Sequence, residues 1–334
     1  MDSITQLVLG CAVAYVVAGK QLGKRSLLIG AIAGTFPDLD SIPLSLFNDD
    51  FLMLKYHRGV THSLLFCLFF PFLLAYLTRL FTQRVSFKVW YWVYFWVFLT
   101  HTVLDCFTSW GTQLFWPLAP RVAFNSIFII DPLYTIWIIL AVGVCLFKSV
   151  SKRYLTIMKM SLLVSSVYLL LTLGVKWKIY YDFKAYFAYH NIDYSKMMTR
   201  PTPFNIVLWS ATVKTETGFY VALRSLFDTS QQEQPLFIEN PRVDESLFMD
   251  KRSHFVRFVT NGFYKASYSN TGLNIHDLRF GSMANLLDSA PQFLFTYRLS
   301  RPIDHHHTKV VIQNPVVSDT KLLFKRLWIR LKGV

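Results

Sequence analysis

Six apolar runs fill the first half of this chain, at roughly 4–19, 26–47, 63–80, 88–106, 126–147 and 154–175. A helix needs about 20 apolar residues to cross a bilayer. The third to sixth runs reach that length, and the first is short. The second is interrupted by Pro37, Asp38, Asp40 and Pro43, which predicts a broken helix that leaves the membrane early. Backbone broken at membrane depth is stable only where protein or water receives the freed polar groups, so the break also points to a site. Composition agrees with a membrane protein. Of the 334 residues, 53% are hydrophobic and only 16% charged, whereas soluble domains carry about 25% charged residues.

The net charge of +14 would suggest nucleic acid in a soluble protein. Here much of it lies in short clusters between apolar runs, and no nucleic-acid motif accompanies it, so no nucleic-acid partner is expected. The clusters "KQLGKR" (20–25), "RLFTQRVSFK" (79–88) and "KSVSKR" (148–153) follow the first, third and fifth runs. The tendency of basic loops to stay inside puts these three in the cytoplasm. Met1, the connection from "PDLD" (37–40) to "HRGVTH" (57–62), the connection 107–125 and everything after 176 then lie on the far side. The N-terminal "MDSITQLVLGCAVAYVVAG" lacks a basic leader and reads as a retained first helix. Cys11, Cys67, Cys106 and Cys145 all fall in or beside apolar runs, and no CxxC occurs. A disulfide framework and a thiolate zinc site are both disfavoured.

The pattern changes near residue 176. "NIVLWSATVKT" (205–215), "FYVALRSLF" (219–227), "FYKASYS" (263–269), "LNIHDLRFG" (273–281) and "FLFTYRLS" (293–300) alternate as strands do, and "ETG" (216–218) reads as a hairpin loop. The expected fold is a mainly α membrane bundle of five to six transmembrane helices over 1–176, followed by a smaller β-rich extramembrane domain over 177–334. The basic, amphipathic "LLFKRLWIRLKG" (322–333) reads either as a helix resting on lipid headgroups or as a solvated terminal helix or strand. The triple histidine 305–307 lies in a polar stretch and reads as a solvated loop.

On this topology the far-side ends of the runs carry Asp2, Asp38, Asp40, His57, His62, His101, Asp105 and Asp131. If the helices bundle, these groups converge. Carboxylates and imidazoles together are ligands for zinc first, and for manganese or iron. His101 and Asp105 are four apart, on one side of a helix. Asp38 and Asp40 would repel unless a cation or an arginine separates them, and Arg58 and Arg121 are candidates to neutralise them or to bind an anionic substrate. Each residue also has a plain structural role open to it. Asp2 and Asp131 can cap helices, "PDLD" can stop one, and His101 and Asp105 can brace two. Ionisable groups near membrane depth nonetheless favour a functional reading when they gather on one side.

The segments "MDSITQLVLG", "GAIAGTFPDLD", "HRGVTHSLL" and "HTVLDCFTSWGT", with "PTPFNIVLW" and "LRFG" further on, resemble the membrane-bound metal-dependent hydrolase family. That family includes the LexA-binding, inner-membrane-associated hydrolases. The resemblance implies a bacterial inner membrane and marks Asp2, Asp38, Asp40, His57, Arg58, His62, His101 and Asp105, with Thr108, Ser109 and Gly111 beside them. Gln6 departs from relatives that carry histidine there. Together the residues and the resemblance put Asp2, Asp38, His57, His62, His101 and Asp105 forward as metal ligands. Asp40, Arg58 and Arg121 become catalytic groups acting on an amphiphilic ester or phosphoester. The alternatives are a divalent-metal transporter and a non-enzymatic membrane scaffold. The topology has its own test: alkaline phosphatase fused after Val334 should be active and a fusion at Ser149 silent, and the reverse pattern would invert it.

Overall fold

The computed structural model describes every residue except 119, 241–247, 249, 270–271, 283–292, 301–307, 314–319 and 334. The triple histidine 305–307 therefore lies outside the described residues. Two compact units divide the chain. One comprises Met1–Leu46, Tyr56–Gly174 and Pro203–Asn205; the other comprises Phe47–Lys55, Val175–Thr202 and Ile206–Val334.

The helices run in the order α1 (Ser3–Leu22), α2 (Arg25–Thr35), α3 (Ser41–Ser45), α4 (Asp50–Tyr56), α5 (Leu64–Phe81), α6 (Phe87–Cys106), α7 (Pro132–Phe147) and α8 (Lys152–Tyr189). Short 3-10 turns over Phe36–Asp40 and Val60–His62 carry the two motifs around the predicted break. Pro37 starts the first turn without ending the helical path, so the stretch Arg25–Ser45 still has the length and apolarity of a span. Ser3–Leu22, Leu64–Phe81 and Lys152–Tyr189 share that property among the described residues. Helix α7 is apolar but has 16 residues. Helix α6 has 20 residues, but its Trp and Tyr side chains, with His101 and Asp105, dilute its hydropathy.

Helices α1 and α2 pack on glycine. A Cβ added at Gly10 would lie 2.8 Å from the Gly34 Cα, and one at Gly34 would lie 2.6 Å from the Gln6 carbonyl oxygen. Gly30 and Gly34 stand four apart on one face of α2, the small-xxx-small spacing that lets helix backbones approach closely in lipid. Beside this seam Ala12, Ala14, Tyr15, Val97, Phe98 and Ile138 form a core closed to solvent. Ser165 of α8 donates to the Tyr134 carbonyl at 2.8 Å, and Tyr168 donates to Asp131 at 2.9 Å, tying α8 to the start of α7.

The second unit contains two four-stranded antiparallel meanders. In one, β1 (Lys196–Pro201), β2 (Leu208–Lys214), β3 (Gly218–Ser225) and β4 (Leu236–Glu239) pair in sequence order. In the other, β5 (Tyr264–Ser269), β6 (Gly272–Asp277), β7 (Thr296–Ser300) and β8 (Lys309–Gln313) do the same. Helices α9 (Lys251–Val259) and α10 (Thr320–Leu331), with a 3-10 turn over Leu278–Phe280, complete the described elements. The architecture is thus a helical bundle followed by a β-rich part, as the change of pattern near 176 predicts.

The glycine seam is testable. Gly10→Val should destabilise the folded protein by at least about 1–3 kcal/mol, the usual cost of overpacking. Gly143→Ala, where an added Cβ meets nothing within 4 Å, should change stability by no more than about 0.5 kcal/mol. Equal melting temperatures for the two variants in detergent would contradict the close approach.

Candidate metal centre

Four side chains from three segments of the chain meet in the first unit. Asp38 comes from the turn after α2, His62 from the turn before α5, and His101 and Asp105 from the last two turns of α6. One nitrogen or oxygen from each lies within 4.8 Å of all the others. His62 Nε2 is 3.1 Å from His101 Nε2, 3.2 Å from Asp38 Oδ1 and 3.3 Å from Asp105 Oδ2. His101 Nε2 is 3.6 Å from both of those carboxylate oxygens. His62, His101 and Asp105 are fully buried, while the Asp38 side chain retains 24% exposure.

The surrounding hydrogen bonds fix the tautomers. A carbonyl oxygen only accepts, and His101 Nδ1 lies 2.7 Å from the Gly34 carbonyl, so Nδ1 carries the proton. Thr61 donates its hydroxyl proton to Asp40 Oδ2 at 2.8 Å, which leaves Thr61 Oγ1 to accept from His62 Nδ1 at 3.0 Å. With both Nδ1 atoms protonated, the two rings turn their Nε2 atoms toward each other and toward two carboxylates. These atoms repel one another unless a proton or a cation lies among them. Burial opposes protonation of His62, but the hydrogen bonds and charges of Asp105 and Asp38 outweigh it and hold its pKa above the ordinary imidazole value. A place that attracts a proton this way also attracts a metal. Zinc with ligand bonds of about 2.0–2.1 Å in a tetrahedron has donors about 3.3–3.4 Å apart, close to the five separations involving the histidines, while the set as a whole spans up to 4.8 Å.

The other charges near Asp105 hold it in place. The Met1 ammonium donates to Asp105 Oδ1. Gln6 Nε2 donates to the same oxygen at 3.1 Å and to the His101 carbonyl at 3.3 Å. Arg58 Nε lies 3.3 Å from Asp105 Oδ2, and Arg58 Nη1 donates to Thr108 Oγ1 at 3.2 Å. Arg58 has φ +59°, a strained value for a residue with a side chain. Its N–H donates to Asp40 Oδ2 at 3.1 Å and its carbonyl accepts from Gln113 N at 3.0 Å, so both ends of the residue are pinned.

Asp40 supports the "HRGVTH" turn. It accepts from His57 Nδ1 at 2.7 Å, from Arg58 N and from the Thr61 hydroxyl. Arg121 holds the turn from another side, donating to the His57 carbonyl at 3.0 Å. Asp2 caps α1, accepting from Thr5 N at 3.0 Å, and Asp131 caps α7, accepting from Leu133 N at 3.0 Å. The structure thus gathers Asp38, His62, His101 and Asp105. It sets Asp40, His57, Arg58 and Arg121 around them, and it uses Asp2 and Asp131 at helix starts. The Gly34 carbonyl and the Thr61 hydroxyl carry no chemistry as isolated residues and escape a reading of the sequence. The GxxxG spacing of Gly30 and Gly34 is the signal that could have revealed the first.

The family model described as "YdjM inner membrane protein" matches residues 1–181, more than half of the chain. The chain belongs to that family. The four apolar spans and this match make it an inner-membrane protein. Among curated proteins and among solved structures, nothing matches the chain.

Metal content is the direct test of the cluster. Purified chain should carry a divalent transition metal by elemental analysis, and His62→Ala, His101→Ala and Asp38→Asn should lose it. Asp40→Asn removes only support behind the ligands and should weaken metal binding by about 10–100-fold. Equal trace metal in all five proteins would reduce the cluster to a helix brace.

Proposed function

We propose that the chain is an integral inner-membrane, metal-dependent hydrolase acting at the membrane surface on an amphiphilic ester or phosphoester. The observation that carries the reading is the convergence of two imidazole Nε2 atoms and two carboxylates. In this reading Asp38, His62, His101 and Asp105 hold a divalent ion. Two nitrogen and two oxygen donors suit zinc best, and manganese or iron also accept them. Such an ion acts as a Lewis acid and eases the deprotonation of water.

The residues around the cluster divide the remaining work. Asp40 accepts from His57 Nδ1 and so points the opposite nitrogen, Nε2, away from the carboxylate. The His57 side chain is 22% exposed, enough to exchange protons with a bound substrate. We assign the proton transfer to His57, with Asp40 fixing its tautomer. Arg58 offsets the charge of Asp105 and supplies fixed positive charge for an anionic transition state. Arg121 positions His57 through its carbonyl. Asp38 is the exposed member of the four, so substrate enters on its side. Its chain neighbours Leu39, Ile42 and Leu46 are 45%, 57% and 76% exposed. An apolar tail lying in lipid fits beside them.

In this reading the basic connections after α1, α5 and α7 stay in the cytoplasm, and this end of the bundle and the residues after 176 lie in the periplasm. The reading divides the chain into a membrane part, 1–176, which performs the chemistry, and an extramembrane part, 177–334. A transporter would show metal flux in proteoliposomes, and a scaffold would carry no metal.

His57→Gln separates the roles. It should keep wild-type metal content and lose about 10²–10⁴-fold in hydrolysis of generic ester and phosphoester substrates. Loss of metal in His57→Gln would make it a ligand instead. Full metal with full activity would remove it from the chemistry.

A further inference from the structure

The last helix, α10, presents a fixed outer face. Leu327 is buried under it, and Arg330 anchors it by donating to both carboxylate oxygens of Asp228 at 2.5 and 2.6 Å, to Glu233 at 2.7 Å and to the Leu223 carbonyl at 2.8 Å. Ser225 donates to the Leu331 carbonyl at 2.6 Å. With that side held, the helix cannot rotate to hide the other.

The outer face combines cations with large apolar groups. Trp328 is 61% exposed and Phe324 50%, with Ile329 on the opposite flank of a strip formed by Lys321, Lys325 and Lys332. Lys332 Nζ sits 5.5 Å from the centroid of the Trp328 ring. No acidic residue occurs between Thr320 and Leu331. In plain water this arrangement leaves apolar area exposed and like charges adjacent, and both are unfavourable. A headgroup layer corrects both: phosphates meet the lysines, and the interfacial zone takes the indole and the other apolar side chains. A neutral protein surface would answer the apolar flanks and leave the central strip uncompensated.

We infer that the outer face of α10 is a docking surface for an anionic lipid headgroup layer. The chain already resides in a bilayer by its family and its apolar spans, so such a surface is always at hand. The inference stands apart from the metal cluster and survives whatever that cluster proves to do. Polybasic segments near anionic membranes gain about 1 kcal/mol for each Lys, about a fivefold factor. Three lysines then shift the docked-to-undocked ratio on the order of 100-fold at low salt.

The test uses the full chain in nanodiscs. The four native cysteines are all buried, so Ile329→Cys gives one accessible thiol for a polarity-sensitive fluorophore. In phosphatidylglycerol-containing discs the emission should shift to the blue and become protected from acrylamide. High salt, or pure phosphatidylcholine, should reverse both changes. Lys321→Gln, Lys325→Gln and Lys332→Gln combined should do the same without lowering the melting temperature. If that variant melts early, the salt reversal in the unsubstituted background decides. A label equally quenched in both lipids overturns the inference, as does protection independent of lipid charge and salt. Protection in detergent that grows with protein concentration would assign the face to a second copy and overturn it too.

Discussion

One hydrogen bond links the packing of the bundle to its chemistry. The Gly34 carbonyl accepts from His101 Nδ1 at 2.7 Å. The carbonyl reaches α6 from a helix that lies against α1 with no side chains in the seam at Gly10 and Gly34. With Nδ1 committed to it, the Nε2 lone pair of His101 faces His62, Asp38 and Asp105. A side chain at position 34 would push α2 away from α1 and carry the carbonyl with it. In lipid, where burying apolar area gives no advantage over the acyl chains, such close backbone contact is a main source of helix association. The glycines therefore serve association and the orientation of His101 at once.

Charge compensation is the second constraint. Asp105 is fully buried, and an isolated buried carboxylate is very costly. The structure surrounds it with the Met1 ammonium, Gln6 Nε2, Arg58 and two imidazoles. One oxygen, Oδ1, takes the ammonium and the amide. The other, Oδ2, faces Arg58 and the two Nε2 atoms. Two positive charges already sit beside this one carboxylate, yet Asp38 and both lone pairs remain to be answered. The excess of acceptors is local to the face where Asp38 is exposed, which is where a divalent ion has access.

Much of this was legible in the sequence, for physical reasons that differ by residue. The helical bundle followed from apolar runs, and β2, β3, β5, β6 and β7 followed from the alternation of apolar and polar residues along the sequence, although β2 and β3 bury polar residues such as Ser210, Thr212 and Arg224 as well. Strand β1, "KMMTRP", escaped because its charged residues and terminal proline break the pattern of a half-buried strand. Strand β4 has four residues, and β8 sits in a polar stretch. The histidines and aspartates of the cluster stood out because ionisable groups are rare beside apolar runs. What the sequence could not show was which of them face inward. Asp38 and Asp40 are two apart, and an extended stretch would place both on one side. The chain instead turns as a 3-10 helix over Phe36–Asp40, which directs Asp38 to the histidines and Asp40 to the backbone of the next motif.

The spacing between the two motifs has a cause of its own. His57 and Asp40 are hydrogen-bonded across 17 positions of chain, and the middle of that excursion, Phe47–Lys55, belongs to the second unit. Within that unit Asp49 pairs with Arg252 at 2.8 Å, Asp50 accepts from Ile312 N at 2.8 Å, and the Phe51 ring meets Phe255 edge-on. A free loop of this length would add closure entropy to every arrangement of Asp40, His57 and His62. The contacts of Asp49, Asp50 and Phe51 order the middle of the excursion within the second unit, so fewer of its residues contribute to that entropy.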